Sequence, residues 1–266
     1  MQVLERAFTK MGARVKFADV APGDWRRRRQ LMEDFSLDVR SDGRGEYFLV
    51  SRVSESKTEF VVLDVQPRVR HLLLLSRKGS EKHRFLLGHD ERHWFVAGIP
   101  EAAAVSRVQE AIHALKPEGV LARERSIRSK DRHRRINRAR IRQGEWFFVP
   151  APDLIVPALL ILRHEPLVRS RGGKAHMCEH LFRFGGETVY VSRAAPNGLT
   201  ETEYRNLSDG ERKRWNWSVM RRNPKVYARG RVRHSDHRTV TLDGWHQVLS
   251  NTEDQSYAMR NIVFLD

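Results

Sequence analysis

The chain has one cysteine, Cys178, which excludes an internal disulfide and fits a reducing compartment. It has no long apolar run. The two longest, "HLLLLS" and "DLIVPALLIL", fall well short of the roughly 20 residues that cross a bilayer as a helix. The first residues, "MQVLERAFTKMGARVKF", offer neither the apolar stretch nor the small-residue cleavage site of a secretory signal. A cytoplasmic protein without a membrane partner is the expectation. Also absent are a P-loop, a glycine-rich dinucleotide fingerprint, a G-x-S-x-G elbow and a C-x-x-C pair. Acids are scarce: 33 Asp and Glu stand against 49 Lys and Arg, a formal net charge of +16. Such an excess attracts polyanions and gains counterion-release entropy at phosphates, so RNA or DNA is the expected partner. Much of it is arginine, whose planar fork suits phosphate and guanine, although a GC-rich bacterial genome enriches arginine as well.

The 266 residues suffice for one large domain or two modest ones. Residues 1–116 read as a small α+β domain. A short helix over 2–11 precedes β-like runs such as "EYFLVSRV", "TEFVVLDV", "RHLLLLS" and "HWFVAGI", separated by turn signals. The run "PEAAAVSRVQEAIHAL" then repeats its apolar residues at helical spacing. An antiparallel sheet with helices is expected. Residues 117–142 carry "ARERSIRSKDRHRRINRARIR", with ten basic residues against two acids and no wide apolar face. They are expected to form a basic linker or exposed helix. Residues 143–266 return to strands and predict a mostly-β domain, barrel or sandwich, with a helical insertion near 200–222.

The lone cysteine sits in "KAHMCEHLF". On a strand, His176, Cys178 and His180 project to one face, and imidazole and thiolate suit zinc and related ions. On a helix only the two histidines share a face. A second cluster lies in "RVRHSDHRTVTL". If Ser235-Asp236 is a two-residue hairpin loop, His234 and His237 form the closing cross-strand pair at chelating distance. Asp236 ligates, orients an imidazole or favours the turn. His246 and Asn251 follow within "DGWHQVLSN". The expected divalent-metal site, zinc by donor type, has His176, His180, His234 and His237 as its core, with Cys178 or His246 as contenders. His89, Asp90, Glu91 and His93 read instead as a surface turn.

"IRQGEWFFVP" followed by "HMCEH" and "HSDH" resembles small bacterial and phage proteins that open with an Arg-Gln-Gly-Asp strand and carry His-x-His and His-x-x-His stretches. The likeness spans residues 142–250, with Glu145 in place of Asp and Cys178 inserted, and it implies no particular activity. Gly185-Gly186 and Gly244-x-His246-x4-Asn251 echo a cupin, at a spacing that is not the cupin one. Asp236-His237, Asn251 and Asn261 faintly resemble the His-Asn-His nucleases. That likeness implies His237 as general base and Asp236 or Asn261 as metal ligand.

Basic residues interleave with tryptophan. Arg26, Arg27, Arg28 and Arg29 follow Trp25. Arg132, Arg134, Arg135 and Arg138 lie in the basic segment. Arg212, Lys213, Arg214, Arg221 and Arg222 surround Trp215 and Trp217. Aromatics stack bases while arginines hold phosphates, although core packing is the alternative for the tryptophans. Three functions follow. One is a nucleic-acid-binding protein with a structural metal. Another is a metal-dependent nuclease or phosphodiesterase. The third is a non-catalytic component of a nucleoprotein assembly that holds an acidic partner.

Overall fold

In the computed structural model, residues 2–21, 34–132, 134–168 and 174–253 are described. They divide into two units. The first takes residues up to 118 together with 251–253; the second takes 119–250. The chain is α+β with strands dominating, and no described helix is long and apolar enough to cross a membrane.

The first unit opens with helix α1 (Gln2–Met11), which buries Leu4, Ala7, Phe8 and Met11 at i, i+3, i+4 and i+7. Strands β1 (Val15–Val20), β2 (Phe35–Asp42) and β3 (Gly45–Val53) form one sheet, with β1 parallel to β3 and β2 antiparallel to it. Strands β4 (Glu59–Gln66), β5 (His71–Lys78), β6 (Glu81–Asp90) and β7 (His93–Ile99) form an antiparallel meander. The continuous apolar run in β5 is explained by cover on both faces. Leu72 and Leu74 join Phe8, Phe48 and Trp94, while Leu73 packs with Leu86, Ala97 and helix Val108–Ala114. The turn expected at 89–93 is the β6–β7 hairpin tip, where His93 Nδ1 lies 2.7 Å from Glu46 Oε1.

The second unit holds a seven-stranded sheet. Its strands are β8 (Ile136–Asn137), β9 (Arg140–Gln143), β10 (Trp146–Pro150), β11 (Leu162–Leu167), β12 (His176–Phe184), β16 (Lys225–Arg233) and β17 (Val240–Ser250). The order is β11-β12-β16-β17-β10-β9-β8, open at both ends, so no barrel closes among the described residues. Strands β13 (Glu187–Val191), β14 (Leu199–Thr200) and β15 (Ser218–Arg222) form a small second sheet, with helices Glu201–Arg205 and Asp209–Arg214 between β14 and β15. Both helices start on full capping boxes, Thr200 with Glu203 and Ser208 with Glu211.

Residues 117–142 depart from the expected linker. Helix Glu118–Glu124 buries Val120 against Phe147 and Val149, and the chain then enters the sheet through β8 and β9. The segment lacks an apolar face, but it folds around an ion pair. Arg140 Nε donates to Glu124 Oε1 at 3.1 Å, with both side chains almost wholly buried.

Candidate metal centre

The start of β12, the loop after β16 and the β9–β10 turn meet at one point. There the side chains of His176, His234 and His237 each present a nitrogen, all within 4.8 Å of one another. Their rings stack in near-parallel array. The centroids lie 4.1 Å apart for His176–His234, 4.7 Å for His234–His237 and 5.6 Å for His176–His237. Four-coordinate zinc with bonds of about 2.0–2.1 Å spaces its ligand nitrogens about 3.3 Å apart. The nitrogens must therefore close by up to about 1.5 Å to grip one ion.

His176 is the anchor. Only 1% of its surface is exposed, and neither Nδ1 nor Nε2 has a hydrogen-bond partner. Burial, followed by the neighbouring His234 and His237 charges, drives its pKa down to about 3, so the ring is neutral with its ligand lone pair available. Trp146 stands edge-on to it, ring centroids 6.4 Å apart. Trp146 Nε1 and Gln143 Oε1 are likewise buried without a hydrogen-bond partner. His234 is engaged at both nitrogens. Its Nδ1 accepts from the Asp236 N–H at 3.1 Å, and its Nε2 faces the Lys174 carbonyl at 3.3 Å. One of these contacts opens when His234 ligates. Asp236 is not in the cluster; its carboxylate accepts from Lys174 Nζ at 2.7 and 2.8 Å and from Ser235 Oγ at 2.9 Å.

His234 and His237 meet, but not as the expected closing pair. Strand β16 ends at Arg233 and β17 begins at Val240, so both histidines lie in the loop between them. Gln143 holds the neck of that loop. Its buried Nε2 donates to the Val232 carbonyl at 3.2 Å and the Arg238 carbonyl at 2.8 Å. The next residue, Gly144, turns β9 into β10 with φ +58° as the first of two loop residues. A Cβ there would lie 2.7 Å from His237 Nε2 and 3.4 Å from His176 Nε2. Backbone thus lines the site where a side chain would fill it. Gln143, Gly144 and Trp146 join the site without being among the residues the sequence predicts for it. In the sequence they stand within "IRQGEWFFVP", where the glycine reads as a turn and nothing marks the three as part of a site.

Cys178, His180 and His246 lie outside the cluster. A bulge in β12 between Cys178 and His180 breaks the alternation that would have aligned His176, Cys178 and His180. It is pinned where Glu179 accepts from Arg231 N at 2.9 Å beneath Gly230, a residue with φ +80° and no room for a side chain. Cys178 remains on the core side with Leu181, and burial pushes its thiol up to about 12, so it stays protonated and packs as a small apolar group. His180 pairs in the ladder with Arg163 and Arg229. His246 sits opposite Ala228, in the row of Leu181, several residues along the sheet from the β12 start. Its Nδ1 lies 2.8 Å from the Gly244 carbonyl. In the nuclease-like pattern, Asn251 belongs to the first unit and Asn261 falls outside the described residues.

The basic residues are partly spent within the fold. Arg132 donates to the Ile127 and Arg125 carbonyls, Arg135 to the Arg142 carbonyl, and Arg134 pairs with Asp131. Arg212 pairs with Asp209, Arg222 with Glu187, and Arg221 donates to the Gly186 carbonyl. Trp217 is fixed by its Nε1–H to the Arg212 carbonyl and by the edge of Tyr204, which itself stacks on Tyr190, so it is not a free stacking platform. Arg138, Lys213 and Arg214 point outward, and the Arg214 guanidinium lies 5.6 Å from the ring centre of exposed Trp215. Arg26 to Arg29 fall outside the described residues.

No protein-family model, curated protein or solved structure matches the chain.

Proposed function

We propose that the second unit binds a divalent transition metal on His176, His234 and His237, in a basic protein whose partner is nucleic acid. The metal rests on one observation: a fully buried imidazole with both nitrogens lacking partners, set beside two more imidazoles; the partner rests on the net charge of +16. Buried polar groups are nearly always hydrogen-bonded, so a bare one in a cluster of ligand type marks a missing partner. An all-imidazole set suits zinc and its neighbours, which take neutral imidazole readily. The protein's own part is to keep His176 neutral, to leave room over Gly144 and to exclude carboxylate and thiolate donors from the cluster.

A metal-dependent phosphodiesterase is the second reading. It is favoured because no fourth protein ligand joins the cluster among the described residues. Structural zinc sites are closed by four protein ligands, whereas catalytic ones hold three and keep a position for water or substrate. When bound, such an ion would lower the pKa of a water and polarise a phosphoryl oxygen.

Elemental analysis of the purified chain, alongside His234→Ala/His237→Ala, tests the first reading. About one metal ion per chain, absent from the double variant, is expected. Fluorescence titration with single-stranded RNA and duplex DNA at several salt concentrations tests the partner, with affinity falling steeply as salt rises. Strand cleavage that disappears on chelation selects the enzyme. Binding that survives chelation, with no cleavage, selects the structural metal.

A further inference from the structure

The segment expected to be a basic linker folds into a cleft. After helix Glu118–Glu124 the chain makes one 3-10 turn, Ser129–Asp131, and enters the edge strand β8. Residues between 126 and 138 enclose a volume of about 430 Å³. That lies within the range of small-ligand sites. Its lining carries three guanidiniums, Arg128, Arg134 and Arg138, against one carboxylate, Asp131. Ile127 and Ile136 supply the apolar part, and Ile136 is 63% exposed.

The arginines here divide into two sets. One set faces inward and fixes the backbone. Buried Arg140 donates to the carbonyls of Arg132, Arg134 and Arg135, and Arg132 donates to those of Ile127 and Arg125. Asn137 ties the far end, with Nδ2 donating to the Asp131 carbonyl and Oδ1 accepting from the N–H groups of Ala139 and Arg140. The other set stands in solvent. Arg128 and Arg138 are exposed, and among the described residues neither side chain has a hydrogen bond, ion pair or ring contact. Arg134 Nε meets Asp131 at 3.3 Å with 71% of the arginine side chain exposed, so that pair is weak. Asp131 offsets one of the three charges. Like charges held side by side repel, so a fixed cleft of this kind gains most from a polyanion.

Resting on the nucleic-acid reading above, we infer that this cleft seats one nucleotide of a single strand, with phosphates on Arg128 and Arg138 and the base against Ile136. The arginine fork matches phosphate oxygens. Guanidinium planes and apolar side chains take the face of an unpaired base. A duplex keeps its bases stacked inside and offers none to a concave apolar wall. Of the arginines expected to bind nucleic acid in this segment, Arg132 and Arg135 are turned to backbone carbonyls, and Arg128 joins Arg134 and Arg138 at the cleft. The cleft uses no imidazole and no metal.

The probe is a dye-labelled single-stranded oligothymidylate, titrated by fluorescence anisotropy at several salt concentrations, beside a duplex of the same length. Arg128→Gln/Arg138→Gln is compared with Arg6→Gln/Lys10→Gln, which removes the same charge from exposed positions of α1. The wild type should bind the single strand more tightly than the duplex. Arg128→Gln/Arg138→Gln should weaken that binding about tenfold or more and flatten the log–log salt slope by about 1.4, two phosphates at about 0.7 each. Arg6→Gln/Lys10→Gln should lose less than about twofold. Ile136→Ala should weaken binding with the slope unchanged, since an apolar contact releases no counterion. All these side chains are exposed, so melting temperatures should stay close to wild type. Binding should also survive chelation and His234→Ala/His237→Ala. Equal losses in the two charge variants overturn the cleft and assign the binding to overall charge, which leaves the nucleic-acid reading intact. Tighter binding of the duplex overturns it as well. No saturable binding by the wild type sinks the nucleic-acid reading and the cleft with it.

Discussion

Arg140 and His176 are about equally buried, with 2% and 1% of their surface exposed, yet the chain surrounds them differently. Arg140 spends every guanidinium nitrogen. Its Nε binds Glu124, and its terminal nitrogens reach the carbonyls of Arg134, Arg135 and Arg132 at 3.0–3.1 Å. The guanidinium also lies over Phe147. Burial pulls its pKa down, the Glu124 charge opposes that pull, and the group is held as an ion by its partners. His176 has no hydrogen bond to either ring nitrogen and two further imidazoles beside it. A completed buried polar network specifies a fold, while an incomplete one in a native protein calls for an absent partner.

The contrast breaks first on stability. Glu124→Leu strands the Arg140 charge in the interior and should cost about 3–5 kcal/mol in urea unfolding of the second unit. His176→Leu removes a group that bonds to nothing, so in chelator it should fall within about 1 kcal/mol of wild type. Equal losses would erase the difference between the sites. Metal acts next. Zinc at about 100 times its Kd should stabilise the wild type by about 2.7 kcal/mol against denaturant, and His234→Ala/His237→Ala by nothing. Gly144→Ala comes third. Its φ of +58° and the 2.7 Å approach to His237 Nε2 should cost about 1–2 kcal/mol and weaken zinc binding, measured by denaturation and by competition with a chelating dye.

The remaining effect is with pH. The His176 pKa is lowered from 6.5 to about 3, so the unfolded chain takes up a proton that the folded one refuses. Its contribution is complete above pH 6.5 and is lost as pH falls towards 3. In chelator, wild type should lose up to about 1.4 kcal/mol per pH unit more than His176→Leu within that window, read from urea midpoints. Parallel profiles would mean that His176 titrates normally.

Much of the first unit was legible because its strands alternate and α1 keeps a helical stripe. The histidine motifs were legible too, but not which of their members meet. Whether His180 shares a face with His176 depends on the bulge at Glu179, and that bulge is set by Arg231 and Gly230 more than fifty residues away. The loop carrying His234 and His237 is held at its neck by Gln143, from a hairpin about ninety residues earlier. No local pattern carries either fact. Residues 117–142 misled for the same reason: Arg140 and Glu124 read as surface charges until the fold places each against the other.

Anomalous scattering from crystals of zinc-loaded protein tests the metal centre most directly. The expected result is one strong peak about 2.0–2.1 Å from a nitrogen of each of His176, His234 and His237, with the rings drawn together over Gly144. A peak bound instead by Cys178, His180 or His246, or no peak among the three imidazoles at saturating zinc, would contradict it.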